Sequence, residues 1–397
     1  MKKRVVITGI GIIDPLGSNR HECFANLIND FDPLSTIKSI ETADVNLYPN
    51  ITVDVCFPVD KTKCVFTDTT VDKSHNYVKL AIHSVEQALK DAGNPEQNTK
   101  NVATIFNSLG TSGETRTDFS SAIINNKKRY SPKGIMENLQ DYIAGHIARN
   151  YQFTGIATSL NSACATGLTS LDYARKLTEE YDFVIVGGSD CMIDSTHMFT
   201  FQSLQALSYT GSRPFNTTRD GFVMGEGAGC LILETEERAI SRGAKIYAYI
   251  DGIGISNDSY SQTSPDPEGK GAELAMKKAL DEADNPTIDF VNAHGTGTPV
   301  GDVVEYDAIR RLLPDVPIYS SKAKIGHTMA ACGIIELIHS INSLETGKIP
   351  ATFNLKDSIA PMDKNLLTEN VEKECNTFLK NSFGFGGRCA SIVISKR

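Results

Sequence analysis

A single cysteine lies among small residues near the middle of the sequence, in the segment LNSACATGLTSL (160–171). Ala163, Ala165 and Gly167 leave space around the thiol of Cys164, and a predicted helix begins just after it. The free N–H groups and positive end of such a helix favour the thiolate, and the space admits a substrate to the sulfur. The segment by itself fits two interpretations equally, a nucleophile and a structural cysteine at a tightly packed crossing.

Two histidines lie at comparable places, where predicted elements end. His294 ends a predicted strand in NAHGTGTPVGD, before a Gly-Thr loop where a ligand can bind, although a lone histidine there is as often structural. His327 follows Gly326 at a second turn-to-helix junction, with Lys322 before it and Glu336 after it. A Lys322–Glu336 ion pair that holds the turn is also a purely structural interpretation. Together, one cysteine and two histidines at element ends indicate thiol-based acyl chemistry.

Composition excludes several other classes of function. The chain has 397 residues, 40% of them hydrophobic, and no run of about eighteen apolar residues that could span a membrane. The basic start MKKR precedes a predicted strand rather than a signal peptide. A net charge of −9 argues against nonspecific nucleic-acid binding. Nine scattered cysteines without a C-x-x-C pair argue against a disulfide framework or zinc site and predict a reducing compartment, the cytoplasm.

The elements that must position these residues form a repeated α/β pattern. Strands and helices alternate, and two apolar strands run into the same Gly-Ile-Gly-Ile sequence, at 9–12 and 252–255. The strand, turn and helix around His327 occupy the place in the second half that those around Cys164 occupy in the first. We therefore expect two duplicated halves, 1–241 and 242–397, whose turn-to-helix junctions meet near a pseudo-twofold axis.

Four motifs carry a resemblance to a known family: NSACATG, NAHGTGTPVGD, SSKAKIGHTMAACGIIE and NSFGFGG. In this order, and over nearly the whole chain, they resemble the β-ketoacyl-acyl-carrier-protein synthases of the decarboxylating Cys-His-His type, including the ketosynthase subunits of type II polyketide systems. The resemblance implies a thiolase-like fold, a layered α-β-α-β-α sandwich. It also implies an elongating acyltransferase that condenses malonyl carrier protein with an acyl chain, with no metal and no cofactor beyond the phosphopantetheine of the acyl carrier protein.

The resemblance also implies a role for each site residue. Cys164 would hold the acyl chain as a thioester, and His294 and His327 would donate hydrogen bonds to the malonyl thioester carbonyl. Lys322, paired with Glu336, would orient His327. The other implied site residues are the backbone of Cys164 with Gly384, Phe385 and Gly386 at the oxyanion site and gate, Thr296, Thr298, Thr263, Phe201 and Leu109 for substrate binding, and Lys127, Lys128 and Arg129 for carrier-protein docking.

Several positions depart from the family pattern. Arg388 and Cys389 follow the GFGG motif, where many synthases have Thr-Asn, and Gln205 stands where many relatives carry a docking arginine. The stretch 110–119 and the segment that contains Glu137 are polar where fatty-acid synthases tend to be apolar. These departures favour a specialised polyketide or polyene pathway over housekeeping fatty-acid elongation, which remains the alternative. The family also implies a dimer, either with an identical copy or with a cysteine-less chain-length factor.

Two other hypotheses explain less of the sequence. A dinucleotide-dependent oxidoreductase would need a third glycine after Gly9 and Gly11, but Asp14 occupies that position. A non-catalytic partner subunit of a ketosynthase would have no need for the complete set of cysteine, two histidines and lysine.

Overall fold

The computed structural model describes residues 3–37, 50–66, 71, 74–109, 120–127 and 132–397. Its helices are α1 (Arg20–Ile28), α2 (Asn76–Asp91), α3 (Pro132–Met136), α4 (Tyr142–Tyr151), α5 (Thr166–Leu177), α6 (Ser195–Ser203), α7 (Glu236–Ser241), α8 (Lys270–Glu282), α9 (Gly301–Leu312), α10 (Lys322–Ile325) and α11 (Cys332–Thr346). Its strands are β1 (Val5–Ile13), β2 (Ser35–Thr36), β3 (Val55–Phe57), β4 (Val102–Asn107), β5 (Ala157–Thr158), β6 (Phe183–Asp190), β7 (Met224–Gly225), β8 (Gly227–Thr235), β9 (Ala248–Asn257), β10 (Phe290–Asn292), β11 (Ile318–Tyr319), β12 (Lys348–Ile349), β13 (Val371–Glu372), β14 (Thr377–Gly384) and β15 (Arg388–Ser395).

The strand order shows that the two halves of the chain repeat one topology. The first half contributes the order β1-β8-β6-β4-β5 and the second the order β9-β15-β14-β10-β11. In each set the first two pairings are antiparallel and the last two are parallel. A short antiparallel contact between β1 and β9 joins the two sets into one ten-stranded sheet. The duplicated α/β architecture expected from the sequence is therefore confirmed.

Helices cover both sets of strands and also fill the space between them. On the outside, α2 packs on β1 and β8, and α8 packs on β9 and β15. Between the two sets, α5 and α11 pack against each other, and α11 is buried from Cys332 to Leu344. The layers therefore run α-β-α-β-α, as expected, and the start of each central helix lies inside the molecule.

The repeated glycines bring the first strand of each half close to its outer helix. A Cβ atom built on Gly11 would lie 1.8 Å from the Ser84 carbonyl oxygen of α2. One built on Gly254 would lie 2.0 Å from the Ala275 carbonyl oxygen of α8. No side chain larger than hydrogen fits at these contacts. The Gly-Ile-Gly-Ile sequences are therefore helix-packing positions, which agrees with rejecting a dinucleotide fingerprint.

The two central helices cross at a pair of glycines. A Cβ atom on Gly167 of α5 would lie 3.2 Å from the Cα atom of Gly333 in α11. Each helix also follows a residue in the left-handed backbone region, Ala163 with φ +49° and Met329 with φ +48°, each three residues before the first helical residue. The two turn-to-helix junctions are thus equivalent and adjacent, as expected for a pseudo-twofold axis.

All nine cysteines are free thiols. Among the helices in the described part of the chain, none is both long enough and apolar enough to cross a membrane.

Candidate active site

The cysteine singled out by the sequence lies at the start of the central helix α5, in contact with a histidine. The strained turn at Ala163 precedes it, and its Sγ atom lies 3.1 Å from Nε2 of His327. Burial raises the pKa of the Cys164 thiol, and the opposing effect of the Lys322 charge is smaller. The start of the helix was expected to lower this pKa. Burial has the larger effect, because Cys164 is only 8% exposed and desolvation disfavours the thiolate.

The loop after β10 is held by a buried carboxylate, which fixes His294. The backbone N–H groups of His294 and Gly295 donate to the two carboxylate oxygens of Glu305 in α9, each at 2.7 Å. The His294 ring lies 5.3 Å from the His327 ring, centroid to centroid, at an angle of 82°. The two imidazoles therefore line one space next to the sulfur.

Lys322 contacts a different histidine from the one expected. Its Nζ atom lies 3.4 Å from Nδ1 of His294, whereas the family resemblance implied that it orients His327. The reason is that β10 and β11 are parallel neighbours, so the residues after their carboxyl ends lie side by side. His327 comes later, beyond the turn at Gly326, and its backbone N–H donates to the Val223 carbonyl at 2.8 Å. A lysine donating to Nδ1 leaves the His294 proton on Nε2, where it can be donated to a substrate.

Glu336 of α11 pairs with two lysines, and the second of them, Lys380, was not among the expected site residues. One carboxylate oxygen pairs with Lys322, and the other lies 2.6 Å from Nζ of Lys380 in β14. The three side chains are at most 1% exposed. The signal for Lys380 was its position within the strand TFLKNSFG (377–384), since a lysine in a buried strand needs a partner.

Both histidines are neutral at physiological pH. Burial holds the pKa of His294 and of His327 well below the usual range, and the charges of Lys322 and Lys380 lower both further. The imidazoles therefore act as neutral hydrogen-bonding groups rather than as cations.

The loop between β14 and β15 closes over the nucleophile. A Cβ atom on Gly384 would lie 2.9 Å from the backbone nitrogen of Cys164, so only glycine allows this approach. Gly386 follows with φ +79°, and the ring of Phe385 stacks on that of Phe201 at 6.5 Å. Arg388 donates a hydrogen bond to the Phe385 carbonyl at 3.0 Å and thereby braces the loop.

One cavity of about 350 Å³ brings most of the expected residues together. Its walls include Cys164, His294, His327, Thr263, Thr296, Thr298, Phe201, Gly384, Phe385 and Gly386. The side chains of Lys322 and Glu336 lie behind the histidines. Leu109 belongs to the apolar cluster that contains Phe201 and Phe385, and its backbone N–H donates to Asp190 at 2.8 Å.

The threonine loop of the cavity is built on a second buried carboxylate. Thr296 and Thr298 lie 3.0 Å apart, oxygen to oxygen. Between them, the Gly297 N–H donates to Asp302 at 3.0 Å, and the Phe215 N–H donates to the same carboxylate at 2.7 Å. Burial raises the pKa of Asp302 to about 7. The loop thus presents two hydroxyl groups to the cavity from a fixed backbone.

The sequence matches one family along most of its length. Residues 2–239 match the N-terminal domain of the β-ketoacyl synthases, and residues 247–356 match their C-terminal domain. The chain is 31% identical to 3-oxoacyl-[acyl-carrier-protein] synthase 2 of Coxiella burnetii, with 100% of this chain and 99% of the relative covered. It is 32% identical to the mitochondrial 3-oxoacyl-[acyl-carrier-protein] synthase of Arabidopsis thaliana, with 99% and 93% covered.

The chain belongs to the β-ketoacyl synthase family. Solved structures agree with this assignment. A β-ketoacyl synthase from Burkholderia phymatum STM815 superposes with a TM-score of 0.89 at 26% identity, and the ishigamide ketosynthase/chain length factor with a TM-score of 0.87 at 27% identity, each covering 100% of both chains. The synthase therefore has the thiolase-like fold, and it is an acyltransferase of the ketosynthase type. Members of this family take substrates carried on the phosphopantetheine of acyl carrier protein and require no additional cofactor.

The expected docking residues of the synthase are described only in part. Lys127 is exposed at the end of a short helical segment, whereas Lys128 and Arg129 lie outside the described residues. Gln205, at the position where the family resemblance implied a docking arginine, is exposed and lines the cavity.

Proposed function

We propose that the synthase elongates acyl chains in a dissociated system by condensing malonyl carrier protein with an acyl group held on Cys164. The observation that carries this proposal is the placement of the Cys164 sulfur 3.1 Å from His327, with the His294 ring alongside, in one cavity that Phe385 also lines. This arrangement supplies a nucleophile and two neutral hydrogen-bonding groups around one reacting carbonyl.

In the first half-reaction, Sγ of Cys164 attacks the thioester carbonyl of acyl carrier protein. The carbon–sulfur bond to pantetheine breaks, and the pantetheine sulfur leaves as a thiol. Its proton comes from Cys164, whose Sγ atom lies 3.1 Å from Nε2 of His327. The backbone N–H groups of Cys164 and Phe385 bind the oxyanion. The acyl chain is then a thioester on the enzyme.

In the second half-reaction, malonyl carrier protein enters and its carboxylate leaves as carbon dioxide. The electron pair of the broken carbon–carbon bond becomes an enolate, whose oxygen accepts hydrogen bonds from His294 and His327. The enolate carbon attacks the acyl carbonyl, and the bond to Cys164 breaks with the electron pair going to its sulfur, which takes up a proton from solvent to restore the thiol. The product is a β-ketoacyl chain, two carbons longer, on the carrier protein.

The remaining residues of the cavity bind the substrate. Thr296, Thr298 and Thr263 bind the pantetheine arm, and Phe201 and Leu109 contact the acyl chain.

We assign the synthase to a specialised polyketide or polyene pathway. In support, Glu137 is 4% exposed and pairs with His75 at 3.1 Å, so a segment often apolar in fatty-acid synthases buries a charge here. The similarity to the ishigamide ketosynthase/chain length factor points the same way. The polar stretch 110–119 lies outside the described residues. Housekeeping fatty-acid elongation is the second candidate, favoured by the names of relatives such as that of Coxiella burnetii.

The partners follow from this assignment. We propose an acyl carrier protein that docks at Lys127, Lys128 and Arg129, and a dimer with either a second copy or a chain-length-factor-like subunit. We also propose residues 1–241 and 242–397 as the two halves, because the junction falls between α7 and β9. The nine free thiols support a reducing compartment, the cytoplasm.

Intact-mass spectrometry of the synthase with an acyl carrier protein from its own genome tests the proposal. Carrier protein is loaded with acyl groups of increasing length and unsaturation, and Cys164→Ala is the control. We expect a thioester adduct on the unmodified enzyme alone, and turnover by malonyl carrier protein to a product two carbons longer. An adduct on both proteins would mean that another cysteine is the nucleophile.

The same experiment separates the two pathways. If the synthase without a partner subunit is loaded with saturated acyl groups, this result would favour fatty-acid elongation. Loading that needs unsaturated or polyketide chains, or a co-expressed partner, would favour the specialised pathway. No loading under any condition would favour a non-catalytic partner subunit.

A further inference from the structure

Lys380 is a buried charge beside the active site for which the proposed mechanism gives no role. We propose that Lys380 is a second positioning lysine: it shares the Glu336 carboxylate with Lys322 and adds a positive charge behind the two histidines, where negative charge develops on the substrate oxygen. This inference rests on the proposed roles of His294 and His327 in the second half-reaction.

The contacts of Lys380 connect three elements of the site. Its Nζ atom lies 2.6 Å from Glu336 of α11 and 3.3 Å from the carbonyl oxygen of Ala293, the residue before His294. It also donates to the carbonyl of Asn381 in its own strand. Asn381 in turn donates through its side chain to Glu305 at 3.1 Å. Lys380 therefore joins α11 to the backbone that carries His294.

The charge balance at this place is unusual for a protein interior. Two lysines share one carboxylate, and Glu336 can compensate only one of the two charges. Glu305, a second buried carboxylate, accepts its short hydrogen bonds from the neutral N–H groups of His294 and Gly295, and it acts on the two lysines only through its charge. Burying a second lysine without a carboxylate of its own in contact is costly, and buried charges of this kind cluster at functional sites.

The second lysine acts on both imidazoles. Its charge contributes to the lowered pKa of His294 and of His327. Burial lowers the pKa of Lys380 itself, and Glu336 opposes that effect. In the second half-reaction, negative charge moves onto the thioester oxygen that the histidines bind, and a nearby fixed cation stabilises it in a site from which water is excluded. The first half-reaction depends less on this charge, because its oxyanion is bound by backbone N–H groups.

The test compares Lys380→Met with Lys324→Met. Lys324 is also a buried lysine, at 1% exposed, but its Nζ atom donates to the carbonyls of Asn26 and Asn29, away from the cavity. Each protein is assayed for acyl loading of Cys164 and, separately, for carbon dioxide release from malonyl carrier protein. The histidine rings, labelled with ¹⁵N, are titrated by NMR, and thermal melts show whether each variant is folded.

We expect Lys380→Met to slow decarboxylation by about tenfold to a hundredfold, less than the cost of about 10²–10³ for losing a donor in direct contact with the oxyanion. Acyl loading should stay within about threefold, since a remote charge contributes little to it. The two histidines should titrate at higher pH, because a neighbouring cation has been removed. Lys324→Met should leave all three readouts unchanged. The other ionisable groups that face the histidines, Lys322, Glu336, Cys332, Glu305 and Cys164, are present in every variant.

A second neutral variant distinguishes the loss of the charge from a defect in folding. Lys380→Gln keeps a polar side chain that can donate hydrogen bonds but carries no charge, and it should reproduce the loss of decarboxylation. Decarboxylation within about threefold of the parent in both variants would overturn the proposal, as would unchanged histidine titration. An equal loss of loading and decarboxylation would also overturn it, by indicating structural damage. Failure of the parent enzyme to decarboxylate would instead overturn the proposed function.

Discussion

At the scale of single residues, the two histidines of the site have different neighbours. Nδ1 of His294 lies 3.4 Å from the Lys322 ammonium, whereas Nε2 of His327 lies 3.1 Å from the Cys164 sulfur. The first is held as a hydrogen-bond donor to substrate, and the second also contacts the nucleophile. The structure therefore predicts that His294 acts in the second half-reaction alone, whereas His327 acts in both half-reactions.

We predict that His294→Ala lowers carbon dioxide release from malonyl carrier protein by about 10²–10³, the usual cost of removing one donor to a developing oxyanion. Acyl loading of Cys164 should persist, because His294 is not the group at the sulfur. His327→Ala should slow both steps. Quenched-flow assays of each half-reaction measure this, and equal effects of the two substitutions on loading would contradict it.

At the scale of elements, the close contact of strand and helix depends on glycine. The first strand of each half lies against its outer helix without any intervening Cβ atom, at Gly11 in one half and at Gly254 in the other. This contact fixes the sheet, and the sheet in turn fixes the carboxyl ends of β10 and β11 that carry His294 and Lys322. Packing far from the cavity thus sets the geometry of the site.

We predict that Gly11→Ala destabilises the fold by about 1–3 kcal/mol, because the new methyl group would meet the Ser84 carbonyl at 1.8 Å. Gly145→Ala is the matched control: Gly145 is exposed in α4, with no atom within 4 Å of the added Cβ, and should gain about 0.5–1 kcal/mol of helix stability. Thermal melts of the two variants measure the difference. A loss of stability in both would contradict the assigned role of Gly11.

At the scale of the whole molecule, one part of the surface is unusually apolar. Five large apolar side chains that are 49% exposed or more fall between residues 123 and 139: Ile123, Ile124, Ile135, Met136 and Leu139. Large exposed apolar side chains that are concentrated in one region of a surface mark interfaces with other proteins. The dimer implied by the family resemblance therefore has a candidate contact surface here.

We predict that Ile124→Lys weakens dimer formation, because a charge placed in an apolar interface loses its hydration without a partner. Ile124 is 76% exposed in the single chain. Leu274→Lys, at a 45% exposed position on α8, is the control and should leave the dimer intact. Light scattering after size exclusion, over a range of concentrations, measures the mass. A monomeric parent, or equal dissociation of both variants, would argue against this surface.

The sequence by itself determined the reaction type and the architecture. Cys164, His294 and His327 each stand at an element end within a local motif, and local spacing is what a sequence displays. The repeated Gly-Ile-Gly-Ile strands likewise indicated the duplication, because a repeat of this kind appears in the sequence as the same residues in the same order.

Only the tertiary structure decided which side chains of the site contact each other and how burial changes their pKa values. The partner of Lys322, the second lysine on Glu336 and the raised pKa of the Cys164 thiol all depend on distances through space and on burial. Glu336 and Lys380 lie 44 residues apart in the chain but meet in the folded protein. Electrostatic interaction depends on that separation in space and on the exclusion of water, neither of which can be calculated from spacing along the chain.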